Sequence, residues 1–313
     1  VPLSALNSLR RQVLDELTAQ RSAPPQRRQG EYKAGVRYEN RRQPPVVTIS
    51  LRRATQLTFE LQKLKPALVY LPAEEIAAHP DVVGQAMGRG VSLAVTLPRI
   101  CFDRELPQLQ RQLEAAWGLG ITQALTGNLG LAGVAKSMGF ALRGDYGLQV
   151  FNSQAEKEYK RLGFQSLTVS FELKLAQIRD LSKAVDTEMI AYGRLPLMIT
   201  ENCLVQNETG CRLDRQGACV PKDGPCCRPT VLKDRTGAAF PLLPAYGHRT
   251  EIQNSKPLYL ADRPEHRRLG LAYARLRFTT ETAEECVSVV QNYLDAAPAA
   301  GDFTRGLYER GVE

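Results

Sequence analysis

Thiols, histidines and arginines are the residues here whose types and spacing could do chemistry. Five of the seven cysteines, Cys203, Cys211, Cys219, Cys226 and Cys227, crowd into one short stretch, and only Cys101 and Cys286 lie outside it. Too few cysteines are present for a disulfide scaffold, and in a reducing compartment such crowding points to a metal or cluster site ahead of bridges. A cysteine or serine protease needs a nucleophile, a base and usually a third orienting group. The sequence holds three histidines. His79 precedes Pro80 and reads as a surface residue at a helix end; His266, between Glu265 and Arg267, reads as part of a solvated charge run. Cys203 with His248 is the dyad worth holding, though no protease signature surrounds either residue. A His-Glu-x-x-His metalloprotease motif is absent.

The elements that must position these groups begin with an amphipathic helix over residues 1–21, with Leu6, Leu9, Val13, Leu14 and Leu17 at helical spacing and Ser4 as a possible N-cap. A basic, proline-punctuated linker follows, from Ser22 through Pro24-Pro25, Arg27-Arg28, Arg41-Arg42 and Pro44-Pro45. From Val46 a strand-helix alternation sets in. Strands are expected near residues 46–51, 67–71, 91–97, 121–125, 140–151, 166–171 and 188–192, each followed by a helical stretch except the last, the first two over Ala54–Leu64 and Ala73–Met87. The alternation fails between Pro196 and about Asp262, then resumes with a strand over 271–278 and a helix over 283–294. Strands joined by helical crossovers make a parallel sheet, and this many units favour an α/β fold closed as a TIM-like barrel. The domain reading is therefore a helix and linker over 1–45 and a barrel over 46–313, with an insertion over 196–262 roofing the C-terminal mouth.

The 313-residue chain, 43% hydrophobic, has enough apolar content for a large core. Its net charge of +8 favours an anionic partner, with nucleic acid such as RNA ahead of a membrane surface, because no apolar run approaches the roughly 20 residues of a spanning helix. The opening residues lack a signal-peptide pattern, so the expected compartment is cytoplasmic. Neither a Rossmann nor a Walker fingerprint follows any strand. If the mouth takes an anion, arginines at strand ends are the natural clamps. Arg143, Arg194 and Arg235 are the candidates; Asp145 and Glu172 are either site residues or their ion-pair partners. Asn152 is a site residue or a cap, and Tyr192 a site residue or core.

Several phrases in order, Gly144-Asp145-Tyr146-Gly147 through Asn152-Ser153, Ser170-Phe171-Glu172-Leu173, Tyr192-Gly193-Arg194-Leu195-Pro196, Cys203, Asp234-Arg235-Thr236-Gly237 and Asn254-Ser255-Lys256-Pro257-Leu258, resemble the peptidase U32 (collagenase-like) family. The resemblance spans roughly residues 46–261. Its opening, Val1-Pro2-Leu3-Ser4, resembles the connector of long members, which implies a second barrel with an upstream barrel of the same chain as partner. The family name implies a peptidase. Better-understood members imply instead an iron-sulfur-dependent, oxygen-independent hydroxylation of RNA bases or a quinone precursor, with prephenate as small anionic co-substrate of the RNA-directed ones.

The family pattern implies cluster ligands at Cys203, Cys211 and one of Cys226 and Cys227. The fourth family position falls on Tyr259, a poor ligand, and the phrase that often carries a cysteine in long members has His248. Histidine can replace a thiolate on iron, Cys219 or the remaining one of Cys226 and Cys227 could also serve as the fourth ligand, and Cys₃His is also an ordinary zinc set. A 4Fe-4S cluster and a zinc ion are thus both expectations for this segment. A non-catalytic module assisting the upstream barrel is the rival reading.

Overall fold

The structure, a computed structural model, describes residues 1–27, 30–31, 35–209, 212–213, 219–220 and 230–312. Two compact units divide it, Val1–Arg37 and Tyr38–Glu313. The first unit carries helix α1 (Leu3–Ser22), whose side chains are all exposed. Ser4 lies inside its first turn; Pro2 is the N-cap, without a capping side chain.

The second unit is built on β1 (Val46–Ser50), β2 (Val69–Pro72), β3 (Leu93–Thr96), β4 (Gln123–Thr126), β5 (Ala141–Gly144), β6 (Phe164–Thr168) and β7 (Asp186–Gly193). Helices α2 (Phe59–Lys63), α3 (Ala73–Ala78), α4 (Pro80–Gly88), α5 (Leu106–Gly118), α6 (Leu129–Ser137), α7 (Ser153–Leu162) and α8 (Leu175–Asp180) alternate with them. After β7 come β8 (Pro196–Thr200), α9 (Leu204–Thr209), β9 (Arg212–Leu213), β10 (Cys219–Val220), β11 (Thr230–Lys233), β12 (Ala239–Ala245), β13 (Arg249–Gln253) and β14 (Leu258–Tyr259). Finally β15 (Tyr273–Arg277) pairs in parallel with both β7 and β1, and β6 pairs with β7, so eight parallel strands close a barrel. Helix α10 (Ala283–Leu294) follows, held by a capping box in which Thr282 accepts from Glu285 N and Glu285 accepts from Thr282 N.

Alternation along the strands sorts the core into two parts. Ile49, Val69, Leu71, Val95 and Leu276 belong to a continuous apolar layer with Leu61, Ile76, Leu109 and Val290 of the helices. Their inward neighbours Thr48, Tyr70, Arg143, Thr168, Glu188 and Arg275 are polar or charged and buried. Leu68, Tyr70, Ala94 and Leu125 form a separate small apolar cluster inside the barrel.

Three expectations are refined. The helix expected over Ala73–Met87 is two, because Pro80 disfavours helical backbone at His79, which sits at φ −130° and ψ 52°. The helical stretch expected from Ala54 divides at Thr58, whose side chain caps α2 by accepting from Leu61 N. The barrel unit also begins earlier than residue 46. Tyr38 N donates to Ser182 Oγ (2.7 Å), Asn40 Nδ2 donates to Arg179 O and Leu181 O (3.1 and 2.8 Å), and Arg41 pairs with Asp186 (2.6 Å). These bonds tie residues 38–41 to the N-terminal end of the barrel.

The insertion after β7 holds more order than its sequence announces. Strands β11, β12, β13 and β8 form a four-stranded antiparallel sheet, and β14 pairs antiparallel with β7.

Candidate functional site

An ionic network occupies the barrel interior beside the small apolar cluster of Leu68, Ala94 and Leu125. Arg275 Nη1 donates to Asp145 Oδ1 (2.7 Å), its Nε and Nη2 donate to Glu188 Oε2, and Nη2 also reaches Thr168 Oγ1 (2.6 Å). Thr48 Oγ1 donates to Glu188 Oε1 (2.5 Å), and Tyr70 OH and Thr168 Oγ1 reach the same carboxylate (3.2 and 3.1 Å). Burial by itself raises the Glu188 pKa; the charge and hydrogen bonds of Arg275, with Thr48, outweigh it and hold the carboxyl below its ordinary range. Arg143 Nε donates to Tyr70 OH (2.9 Å), and its guanidinium lies 4.8 Å from the Tyr273 ring centroid.

Above this layer, at the C-terminal ends of the strands, the inserted sheet docks through one face of β13. Arg249, Glu251 and Gln253 alternate along the strand and therefore share that face. Glu251 accepts from Arg277 Nη2 (3.0 Å), Arg99 Nη1 (3.2 Å) and Gln253 Nε2 (2.8 Å). Arg277 Nη1 also donates to Gln253 Oε1 (2.8 Å) and to Arg194 O (2.7 Å). Arg249 Nη1 bonds Glu105 (3.2 Å), its Nε bonds Glu201 (2.8 Å), and its guanidinium covers the Phe102 ring at 4.7 Å. Arg99 packs over the Tyr146 ring at 5.2 Å. Arg52 joins from the loop after β1, donating to Pro244 O (3.2 Å). Its pKa is lowered by burial and by neighbouring Arg53 and Arg277, against the opposing pull of Glu75 and Glu251. Strand β13 of the insertion thus lies over the strand ends.

The expected substrate residues occupy several places. Arg143 and Asp145 sit in the network, Arg143 beneath the mouth and Asp145 at its base, where its Oδ1 also accepts from Tyr146 N (2.8 Å). Asn152 caps α7, its Oδ1 accepting from Gln154 N and Ala155 N (3.0 and 2.9 Å). Glu172 is half-buried in the turn after β6, with its amide on Ser170 Oγ (3.3 Å). Tyr192 donates to Glu281 Oε1 (3.1 Å) and packs edge-on and tilted against Tyr259, Tyr293 and Phe278. Arg194 Nη1 donates to Asn254 O (3.1 Å) and to Ser255 O, and among the described residues its buried Nε finds no partner. Arg235 is exposed at the β11–β12 turn, which Asp234 closes by accepting from Thr236 N (2.8 Å) and Ala238 N (3.0 Å).

Of the expected metal ligands, Cys211, Cys226 and Cys227 lie outside the described residues. Cys203 is half-buried, three residues beyond Thr200, and His248 stands two residues before Thr250. Thr200 and Thr250 are partners in the β8–β13 ladder, so Cys203 and His248 flank the same end of one strand pair. Leu204 N donates to Thr250 Oγ1 (3.0 Å). Thr250 alternates with Arg249 and Glu251, so the chain leaves Cys203 along the face of β13 turned from the mouth. Among the described residues no three His, Cys, Asp or Glu side chains are grouped to hold a metal. Tyr259 is buried, and its OH donates to Ala297 O (2.8 Å).

Sequence reasoning did not single out Arg52, Arg99, Glu188, Glu251, Arg275 or Arg277. Alternation inside the strand over 271–278 was the available signal, since Tyr273, Arg275 and Arg277 put polar groups on the inward side of a barrel strand.

The sequence model of Peptidase family U32 matches residues 72–230. No curated protein matches at a significant level. Among solved structures, the U32 peptidase Mk0906 is 13% identical over 53% of this chain and 73% of that one, with a TM-score of 0.37. The 3-dehydroquinate dehydratase from Geobacillus kaustophilus HTA426 is 15% identical over 48% of this chain and 74% of that one, with a TM-score of 0.34.

Proposed function

The chain belongs to peptidase family U32, and we propose that within it this barrel is an oxygen-independent hydroxylase acting on RNA bases, or a part of one working with an upstream barrel, rather than a true protease. The observation that carries the reading is the mouth. The insertion that bears the crowded thiols is docked by Glu251 and Arg249 over the strand ends, where Arg52, Arg99 and Arg277 outnumber the carboxylate they surround. A small anionic co-substrate such as prephenate, and RNA phosphates around it, suit that excess of positive charge.

A four-thiolate cluster that includes position 259 does not fit this chain, because Tyr259 is a core residue bonded to Ala297 O. The set that suits an iron-sulfur cluster is Cys203, Cys211, one of Cys226 and Cys227, and His248, and the shared strand-pair end of Cys203 and His248 supports it. Such a cluster supplies one-electron transfer when bound. The protease reading has less support. His266 Nδ1 is turned onto Arg263 O, and His79 faces Glu75 at 3.9 Å, which leaves that reading His248, at the strand-pair end it shares with Cys203.

A second reading is favoured by one observation, the departure of the chain after Cys203 on the far face of β13. A centre on that side would be a structural zinc in a non-catalytic substrate- or RNA-binding module. Purification without oxygen, followed by iron, sulfide and zinc analysis, separates the two. Iron and sulfide in cluster ratio support the hydroxylase; stoichiometric zinc alone supports the module. Affinity for structured RNA should fall steeply with added salt through counterion release. Absence of RNA binding at low salt would remove RNA from either reading.

A further inference from the structure

Glu251 is held in a way that a ligand would be held. Its Oε1 accepts from Arg99, and its Oε2 accepts from Arg277 and Gln253. The donors come from the loop after β3, from the end of β15 and from β13 itself, whereas the carboxylate arrives from a sheet inserted far along the chain. Arg52 adds a third guanidinium whose charge no ion pair of its own offsets among the described residues. Planar guanidinium groups match carboxylate oxygens in pairs, so a donor set that satisfies one carboxylate will accept another.

We propose that Arg52, Arg99 and Arg277 form a binding site for the carboxylate of a small ligand, and that Glu251 occupies this site in the resting chain as a built-in competitor. The proposal rests on the reading of the mouth as the working face. Exchange of one carboxylate for another keeps the arginine donors satisfied, and the ligand's remaining groups then lie beside the Tyr146 ring beneath Arg99. Glu251 is also the link between β13 and the barrel at this point, so ligand entry releases one of the two charged latches of the inserted sheet and leaves the other, Arg249 with Glu105, in place.

Malonate serves as the probe, with malonamide as its uncharged counterpart, titrated calorimetrically into the full chain at low ionic strength. Malonate should bind and malonamide should not. E251Q removes the competing charge and should bind malonate about tenfold more tightly, about 1.4 kcal/mol at 25 °C, while R52Q and R99Q should each bind it more weakly than wild type. Unchanged or weaker binding by E251Q alongside weaker binding by R99Q would overturn the competitor role and leave the anion site standing. Failure of both wild type and E251Q to bind malonate would overturn the site itself, and the metal and RNA measurements would still decide the hydroxylase reading independently. Should E251Q melt without cooperativity, amide hydrogen exchange in wild type replaces it: malonate should speed exchange along β13 and β8, and unchanged exchange would overturn the competitor role.

Discussion

Arg275 and Glu188 meet at the centre of the barrel with both side chains sealed from solvent, and three hydroxyls, Thr48, Tyr70 and Thr168, surround the carboxylate. Removal of one partner leaves the other charge buried and unpaired. Arg275→Met should therefore cost about 3–5 kcal/mol, read as a lower urea midpoint. Because the Glu188 pKa is depressed on folding, its contribution is present above the ordinary carboxylate range and is lost as pH falls through the folded pKa. Arg275→Met should accordingly flatten the acid limb of the stability curve. A variant as acid-sensitive as wild type would contradict the assignment.

Gly193 ends β7 at φ +119°, and a Cβ there would lie 2.0 Å from the Arg277 carbonyl oxygen. Both the backbone region and the close approach exclude a side chain. Gly193→Ala should destabilise by about 2–4 kcal/mol and weaken whatever the mouth binds, since it pushes on the residue that holds Glu251. Wild-type stability in that variant would mean that β7 and β15 are not so closely apposed.

Glu156 on α7 is buried against Thr187, which donates to it at 3.0 Å, and burial raises its pKa to about 7. The folded state then binds a proton that the unfolded state releases near 4.5, so stability should fall as pH rises between these values and level off above them. Glu156→Gln should remove this decline and gain stability at pH 8 relative to wild type. Thermal melts at pH 5 and pH 8 test it, and parallel pH curves for the two proteins would refute it.

A chain beginning at Tyr38 should fold and melt cooperatively, since residues 38–313 are one compact unit. A chain beginning at Val46 should also fold but melt at a lower temperature, because it loses the bonds of Tyr38, Asn40 and Arg41 to Ser182, Arg179, Leu181 and Asp186. Equal melting temperatures would show that residues 38–45 do not brace the barrel.

Metal content separates Cys203 from Tyr259. Cys203→Ser should lower bound metal after purification without oxygen, whereas Tyr259→Phe should leave metal unchanged and cost about 1 kcal/mol for the lost bond to Ala297 O. Loss of metal in Tyr259→Phe would put the phenol at the centre after all.

The barrel was legible in the sequence because each unit is a local statement. Strands such as Val69–Pro72 and helices such as Leu106–Gly118 announce themselves through alternation and 3.6-residue spacing against one continuous apolar layer. The U32 phrases were legible for the same reason. The inserted sheet was not, since β13 turns Arg249, Glu251 and Gln253 toward the mouth and is held there by charge pairing, which leaves no hydrophobic period to detect. Nor does spacing reveal that Arg275 seeks Glu188 and Asp145, or that Arg277 and Arg99 meet on Glu251, because those partners lie on different strands and on the loops that follow them, and converge only when the sheet closes. Local propensity determined the elements; which charges share a low-dielectric interior was decided by barrel closure, where each must find a partner or stay unfavourable.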